Sequence, residues 1–525
     1  MEGDGVGAGV GEDVGLGVAL SVGVARRAVG ATVAVGSAGV SAQAASAMPT
    51  NSRRPHRRVT GRTCTVRIMA AMEHFDIAVV GAGTSGEAAA QYARLRGASV
   101  AVIDKGLFGG SCPFWACMPS KALLHAAAVH KGGGEFPWSK ASDFRDYMIN
   151  REGTDEPDDS GHVRSLEGAG ATVLRGEASF AAPGRLRVAL RSGGEQELEA
   201  DDVVLAIGSV SRVPDLPGLA EAGYWTNVQG TGTRELPRSL LILGGGPTGV
   251  ELSQVFARYG VPVTLVHPKD RVYDKEHPLS TKFLGEALQR DGVTLRLGVR
   301  ATRVRGGSGS DGAHVVELSD GSRVEGHELL LAIGRDLPLD PLNLETIGVT
   351  PRDGQLTVDE RMQVAEHVYA AGDVAGPELH THLGHYTGEA AVRAALGDDY
   401  RPFLDAIPRA TYTDPETTSV GLTVEQARER GIDAEEFTVE IGTSAKGYVA
   451  EASGHVTIVV DRAEKLLVGA FMAGPAVSEA IHECVLAIRA RVPLAILADT
   501  LHAFPTVARV LGTAFVNAHR ELGGR

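Results

Sequence analysis

From residue 76 onward, apolar runs and amphipathic stretches succeed one another in a strand–helix–strand rhythm. Asp76-Ile-Ala-Val-Val80 predicts a short buried strand, residues 87–96 a helix, and Ala98-Ser-Val-Ala-Val-Ile103 a second buried strand. The same order returns in Ser239-Leu-Leu-Ile-Leu243, the helical pattern of 250–259 and the apolar run 261–266. Between these units, residues 170–208 alternate as strands do and end in Val203-Val-Leu-Ala-Ile-Gly208. Residues 312–334 repeat the theme and end in Leu329-Leu-Leu-Ala-Ile-Gly334. Residues 402–523 predict a separate α+β domain, with strands near 454–460 and 467–472 and a helix near 478–491. The expected fold class is α/β, with two Rossmann-like dinucleotide-binding domains and a C-terminal α+β domain.

Residues 1–73 break the rhythm. They are rich in Gly, Ala, Val and Ser, then in Arg, and show no strict period. Such a composition cannot bury a core, so a disordered leader is expected there. Its apolar stretch 14–25 is too short and glycine-rich to span a membrane, and the acids before it do not suit a signal peptide. The chain has 525 residues and a net charge of −14. An acidic surface does not attract nucleic acid or anionic membranes, so neither is expected as a partner. A cytoplasmic location is expected.

Each strand–helix junction carries a glycine loop. Gly81-Ala-Gly-Thr-Ser-Gly86 supplies Gly81, Gly83 and Gly86, and Gly244-Gly-Gly-Pro-Thr-Gly249 supplies Gly244, Gly246 and Gly249. Glycines at this spacing allow a tight turn and close approach of a pyrophosphate to a helix N-terminus. Asp104 and His267 fall at equivalent positions, at the ends of the second strands. Asp104 suits the ribose hydroxyls of FAD. His267, with Lys269 and Arg271 after it, suits the 2′-phosphate of NADPH better than the ribose of NADH.

Four cysteines are too few for a secreted disulfide framework. Cys112-Pro-Phe-Trp-Ala-Cys117 follows the first module directly and precedes the helical run 122–130. By itself the pair is open to a redox, a zinc-binding or a structural reading, although C-x4-C is not the usual zinc spacing. No metal is expected. A thiolate at a helix N-terminus is stabilised by the helix dipole.

Gly109-Gly-Ser-Cys-Pro-Phe-Trp-Ala-Cys-Met-Pro-Ser-Lys121 resembles the active-site signature of the class I pyridine nucleotide–disulfide oxidoreductases, which include dihydrolipoamide dehydrogenase, glutathione reductase and mercuric reductase. Val368-Tyr-Ala-Ala-Gly-Asp373 resembles the family's second FAD motif. Leu331-Ala-Ile-Gly-Arg335 resembles the strand after its nucleotide domain, and Tyr412-Thr-Asp-Pro-Glu416 the start of its dimerisation domain. The resemblance implies an FAD-binding domain over 74–220 and 336–401, an NAD(P)-binding domain over 221–335 and a dimerisation domain over 402–525, in a homodimer. It implies electron flow from NAD(P)H through FAD to a Cys112–Cys117 disulfide, and from there to a small-molecule acceptor. Cys117 would face the flavin and Cys112 the acceptor, with Lys121 and Glu251 paired beside the flavin. Lys105, Gly110, Ser111, Ala178, Gly208, Gly334, Gly372 and Asp373 complete the expected cofactor contacts.

One motif departs from the family. Its disulfide reductases carry a His-Pro near the C-terminus and a Glu five positions after the His, which act together as acid and base. Here the segment is Leu501-His-Ala-Phe-Pro-Thr-Val-Ala-Arg509, with Phe504 and Arg509 at those positions. Losing such a base costs about 10²–10⁴-fold, so efficient reduction of lipoamide or glutathione disulfide is not expected. The cysteine-free tail 518–525 also departs from mercuric reductase. Quinones, dyes or metal ions are the alternative acceptors, and a non-catalytic, redox-responsive flavin-binding protein is the alternative of another class.

Overall fold

The computed structural model describes residues 72–524. The expected leader lies outside the described residues apart from its end. The first strand, Glu73–Val80, begins inside that leader, because Glu73 pairs with Leu198. Cys64 also lies outside the described residues.

The first sheet is built around Glu73–Val80. Val100–Asp104 lies parallel to it on one side, in the register Val79 to Val102. On the other side lies the second half of Glu195–Leu205, with Val79 beside Val204. Thr172–Ala182 pairs with Val100–Asp104 through its first residues, then turns away to pair antiparallel with Arg185–Leu190. Strand Val368–Ala370 returns from far along the chain to lie parallel to Glu195–Leu205. The central strand reads apolar at every position from Ile77 to Val80 because both its faces are covered: Ile77 and Val79 pack with helices Thr84–Leu95 and Thr381–Ala395, and Ala78 and Val80 with strands Thr172–Ala182 and Arg185–Leu190.

The second sheet is a four-stranded parallel set in the order Glu328–Leu331, Leu240–Leu243, Val263–His267, Thr294–Leu297. A three-stranded antiparallel sheet of Ala301–Arg305, His314–Leu318 and Arg323–Gly326 adjoins it in the chain. The C-terminal segment forms a five-stranded antiparallel sheet. Its centre is Leu466–Gly474, flanked by Glu416–Gly421 and His455–Asp461. Helices Val477–Ala490 and Val507–Glu521 bury Ile481, Cys484, Leu511 and Phe515 in the same core as Val456, Ile458 and Met472.

The helices after both glycine loops start earlier than their apolar pattern suggests. Thr84–Leu95 and Pro247–Arg258 each begin directly after the second glycine of the loop. The third glycine is thus already helical and packs on the first: a Cβ on Gly86 would meet Gly81 O at 1.8 Å, and one on Gly249 would meet Gly244 O at 2.0 Å. The run expected to be helical from 122 to 130 likewise extends back to Cys117, in helix Cys117–Lys131.

Candidate active site and cofactor cradles

The two glycine loops are near copies in geometry. Gly81 and Gly244 hold φ of 103° and 111°, a region that excludes side chains at little cost only for glycine. A Cβ on either would strike backbone, Ala206 O at 2.3 Å or Ala332 O at 2.2 Å. Gly83 and Gly246 cap their helices in extended conformation and turn the first free N–H groups outward. This cradle fits a pyrophosphate, because the unpaired N–H groups and the helix dipole both favour an anion.

At the end of the first module, Asp104 accepts hydrogen bonds from Ala82 N at 2.6 Å and Gly106 N at 2.7 Å. Burial pushes its carboxyl above the usual range, against the pull of those two N–H groups. Each oxygen keeps a second lone pair for a ribose hydroxyl. Beside it opens a cavity of about 80 Å³ lined by Gly81, Asp104, Lys105, Ala178, Pro338 and Leu342. Lys105 stands at its exposed edge, paired with Glu177 at 2.7 Å. Gly110 packs against the loop, where its Cβ would meet Gly83 Cα at 2.7 Å, and Ser111 opens the short helix Ser111–Trp115. Gly208, at φ 64°, follows the strand Glu195–Leu205. Ser209 Oγ donates to Asp373 and accepts from Arg335 Nε, the latter at 2.5 Å. The Gly372 N–H donates to Thr387 Oγ1 at 2.9 Å. Thus the segment around 372–373 is tied to the end of the first sheet.

In the second module His267 takes the place of Asp104. Its Nδ1 accepts from Gly245 N at 3.0 Å, so in the neutral ring the hydrogen sits on Nε2, 3.1 Å from Asp274 Oδ1. Lys269 is exposed. Arg271 is half-buried and donates to Asp274 O at 2.9 Å. Gly334, at φ 126°, accepts from Arg212 N through its carbonyl.

The cysteine pair sits where two helices meet. Ala116 breaks the chain between Ser111–Trp115 and Cys117–Lys131, which puts Cys117 in the first turn of the longer helix. Both cysteines are free and half-buried. They are not equivalent. The hydrogen bond from Cys112 lowers the Cys117 thiol well below its ordinary range, and burial opposes this. Thr381 and the Lys121 ammonium add to the lowering. The same contact with Cys117, together with burial, pushes the Cys112 thiol up. Thr381 Oγ1 lies 3.3 Å from Cys117 Sγ.

Behind the pair, Lys121 Nζ donates to both oxygens of Glu251, at 3.0 and 2.9 Å. Glu251 is 4% exposed and also accepts from Tyr412 N at 3.0 Å. The Tyr412 ring lies under the Lys121 ammonium at 4.7 Å. Burial works against the charged ammonium, but the attraction of Glu251 exceeds it, so the Lys121 pKa is raised. The structure therefore brings Cys112, Cys117, Lys121 and Glu251 into one neighbourhood. It adds Thr381 and Tyr412, which the sequence reading did not single out as site residues. His380 and His382 flank Thr381 with rings stacked at 5.1 Å, and His380 Nε2 is 2.9 Å from Glu378.

The segment 501–509 lies apart from this neighbourhood in the chain's own fold. Phe504 is 74% exposed and Arg509 is also exposed. The imidazole of His502 is buried and directed to Glu483, with Nε2 at 3.0 and 3.1 Å from its two oxygens. Tyr448, Val449, Leu486, Ile496 and Leu501 join Phe504 as large apolar side chains left exposed on the C-terminal domain. Among the described residues no helix is long and apolar enough to cross a membrane, and no cluster of three or more His, Cys, Asp or Glu is placed to hold a metal.

Two dinucleotide cradles, a dithiol at a helix start and a buried Lys–Glu pair define a flavin- and nicotinamide-dependent oxidoreductase. The chain belongs to the pyridine nucleotide–disulphide oxidoreductase family, whose profile it matches over residues 75–394. The family's dimerisation domain matches over 407–515 and supports a homodimer. It is 30% identical to dihydrolipoyl dehydrogenase of Halobacterium salinarum over 449 residues, 82% of this chain and 94% of that protein. It is 30% identical to mercuric reductase of Shigella flexneri over 459 residues, 85% and 81% of the two chains. Its fold matches LpdA of Mycobacterium tuberculosis with a TM-score of 0.76 at 26% identity, covering 85% of this chain and 99% of that one. It matches the Cu(II) complex of the HOCl-induced flavoprotein disulfide reductase RclA of Escherichia coli with the same TM-score at 25% identity, over 85% and 100%. FAD and NAD(P)H are the cofactors of this family, and the two cradles fit them.

Proposed function

We propose that this chain is an NAD(P)H-dependent flavoprotein reductase. In this reading Cys112 and Cys117 carry electrons to a small acceptor that needs no protein base at position 504. The observation that carries it is the asymmetry of the pair: Cys117 accepts the hydrogen bond from Cys112, lies 3.3 Å from Thr381 Oγ1 and opens the long helix Cys117–Lys131, so its thiol is lowered while that of Cys112 is raised. FAD, when bound, supplies a two-electron centre that takes hydride from NAD(P)H and exchanges electrons with the sulfur pair. Gly81, Gly83, Gly86, Gly110, Ser111, Asp104, Ala178, Gly208, Gly372 and Asp373 would hold it. Gly244, Gly246, Gly249, Gly334, His267, Lys269 and Arg271 would hold the nicotinamide nucleotide, with NADPH preferred because Lys269 and Arg271 can meet a 2′-phosphate. Glu251 holds Lys121 in its charged form, so that the ammonium lies near the thiolate. Cys112 remains protonated and faces the acceptor.

Mere flavin binding gives no role to a Lys–Glu pair buried beside a polarised dithiol, which disfavours a non-catalytic function. A metal ion is a second candidate acceptor. The likeness to RclA, crystallised as a Cu(II) complex, favours it, and thiolate sulfur is a soft ligand.

Anaerobic titration of the purified holoenzyme with one equivalent of NADPH tests the reading. A long-wavelength band from the Cys117 thiolate against bound FAD is expected, together with two thiols that react with a thiol reagent. A spectrum that shows only fully reduced flavin, with no new thiols, would remove the dithiol from the electron path. Turnover with lipoamide, glutathione disulfide, quinones and Cu(II) in parallel, repeated in Cys112→Ser, identifies the acceptors that depend on the pair.

A further inference from the structure

Thr381, which touches the Cys117 sulfur, stands between two histidines, and both are tied to one short segment elsewhere in the chain. His380 Nε2 donates to Glu378 Oε2 at 2.9 Å, and Glu378 Oε1 accepts from Arg409 Nη1 at 2.8 Å. His382 Nε2 donates to the carbonyl of Pro408, the residue before Arg409, at 2.8 Å. The two imidazoles stack at 5.1 Å with their planes 11° apart. His380 is the N-cap of helix Thr381–Ala395, so holding it holds the first turn, where Thr381 lies.

Arg409 is itself fixed from several directions. Strand Arg409–Thr411 pairs antiparallel with Glu416–Gly421, with Arg409 opposite Ser419. Its Nε donates to Glu276 Oε1 at 3.0 Å and to Ser419 Oγ at 2.8 Å. Burial opposes the charge of Arg409, but the carboxylates of Glu276 and Glu378 outweigh it, so its pKa is raised. Glu276 is 5% exposed and lies two positions after Asp274, the partner of His267. Glu276 N donates to Tyr273 O at 2.9 Å, and Tyr273 N to Gly245 O at 2.7 Å, within the glycine loop of the second module. A planar guanidinium can hold two carboxylates at fixed relative positions, which a single ammonium does less well.

We infer that Arg409 is a positioning residue for the thiolate: it fixes Glu378, and with it Thr381 on the Cys117 sulfur, from an anchor in the nucleotide-binding loop. Arg409 acts through Thr381, not on the sulfur itself. The inference rests on the reading above, in which Cys117 is the working thiolate. The other groups that face that sulfur are Cys112, Lys121 and Glu251, and those that face Arg409 are Glu276, Glu378 and Tyr273.

The test titrates the FAD-loaded enzyme after two-electron reduction. It reads the Cys117 thiolate by the long-wavelength band and, separately, by the ultraviolet absorbance of the thiolate against a Cys117→Ser control. Arg409→Lys keeps a charge between Glu276 and Glu378 but loses the fork. Its midpoint is expected to rise by about half a pH unit or more, a fraction of what one hydrogen bond is worth. In a Thr381→Val background the same substitution should move the midpoint by less than about 0.2 unit, because the contact it acts through is already gone. An unchanged midpoint in the single variant overturns the inference. So does a shift that adds in full to that of Thr381→Val, which would mark a route around Thr381. Arg409→Met removes the charge as well, and a shift seen there but absent from Arg409→Lys would assign the effect to charge alone and overturn the positioning role. The ultraviolet midpoints decide the inference even if the wild type shows no long-wavelength band, an outcome that sinks only the reading of electron flow from flavin to dithiol. Thermal midpoints of the variants serve as the control for folding.

Discussion

His267 Nδ1 accepts a hydrogen bond from Gly245 N at 3.0 Å, as Asp104 Oδ2 accepts one from Ala82 N at 2.6 Å in the other module. The two residues do the same local work, fixing the glycine loop against the end of the second strand. They differ in what they leave for a nucleotide. Asp104 keeps carboxylate lone pairs, whereas His267 spends its acceptor on Gly245 and offers no negative charge to repel a phosphate. Replacing both Lys269 and Arg271 by Ala is therefore expected to lower kcat/KM for NADPH by about tenfold or more and to change that for NADH much less. Steady-state kinetics with the two nucleotides checks this, and equal losses would show that the cations do not read the 2′-position.

The polarisation of the dithiol predicts a pH dependence. Cys117 is lowered to about 6, first by the hydrogen bond from Cys112 and then by Thr381 and Lys121 against the cost of burial. Its thiolate is therefore present at neutral pH and is lost as pH falls through about 6. The long-wavelength band of the two-electron-reduced holoenzyme should bleach over that interval. Thr381→Val removes one donor from the sulfur and should move the midpoint upward by up to about one pH unit, the worth of one modest hydrogen bond. A midpoint that stays in place would take Thr381 out of the account.

The two βαβ units were legible because parallel strands covered on both faces read as uninterrupted apolar runs, and because glycine spacing marks the turns between strand and helix. Helix starts were less legible. Thr84 and Pro247 precede the apolar periodicity, and only the close packing of Gly86 on Gly81 and of Gly249 on Gly244 shows that the helix has begun. Residues near one another in sequence, such as Cys112, Cys117 and Lys121, could be grouped from spacing and resemblance. Thr381 reaches Cys117 across 264 positions, and Tyr412 reaches Glu251 across 161, so no local pattern announces either contact. The pairing of His502 with Glu483 was hidden for a similar reason, since it joins a loop to helix Val477–Ala490 across the short helix Leu494–Ala498.

Lys121 and Glu251 are bound by more than their charges. Glu251 also fixes the Tyr412 backbone, and that ring lies against the ammonium. Substituting Glu251 by Ala leaves Lys121 partly desolvated without a counter-charge. A loss of about 2–3 kcal/mol of stability is expected, below the 3–5 typical of a fully buried pair because water reaches part of Lys121. Glu251→Gln keeps an acceptor for Tyr412 N and should lose less. Urea unfolding of the holoenzyme measures both.

On the sequence reading, Phe504 and Arg509 occupy the positions at which the family's disulfide reductases carry a base and the carboxylate that orients it. Installing the pair as Phe504→His/Arg509→Glu should raise kcat/KM for lipoamide by about 10²-fold, the usual contribution of a general acid–base. The single Phe504→His variant should gain less, because its imidazole lacks an orienting carboxylate. No gain from either variant would mean that the acceptor site excludes lipoamide by shape, a separate ground from the missing base.

His455 makes the acid stability of the fold predictable. It is fully buried in the C-terminal sheet, with Nε2 2.8 Å from Ser280 Oγ and Nδ1 2.9 Å from Thr457 Oγ1. Ser280 belongs to helix Pro278–Arg290, so the imidazole joins that helix to the C-terminal sheet. Burial, then the neighbouring His277 ring, lowers its pKa to about 3. The unfolded chain binds a proton at this position below about 6.5, while the folded chain does not until about 3. Protons therefore favour the unfolded state between those values, and stability falls as pH drops through that window by up to about 1.4 kcal/mol per unit. Going from pH 7 to pH 5, His455 alone should cost about 2 kcal/mol. His455→Gln can still bond to Ser280 and Thr457 but cannot titrate. The difference in urea midpoints between pH 7 and pH 5 should thus be smaller in the variant than in the wild type. An equal difference would mean that His455 takes up its proton without unfolding.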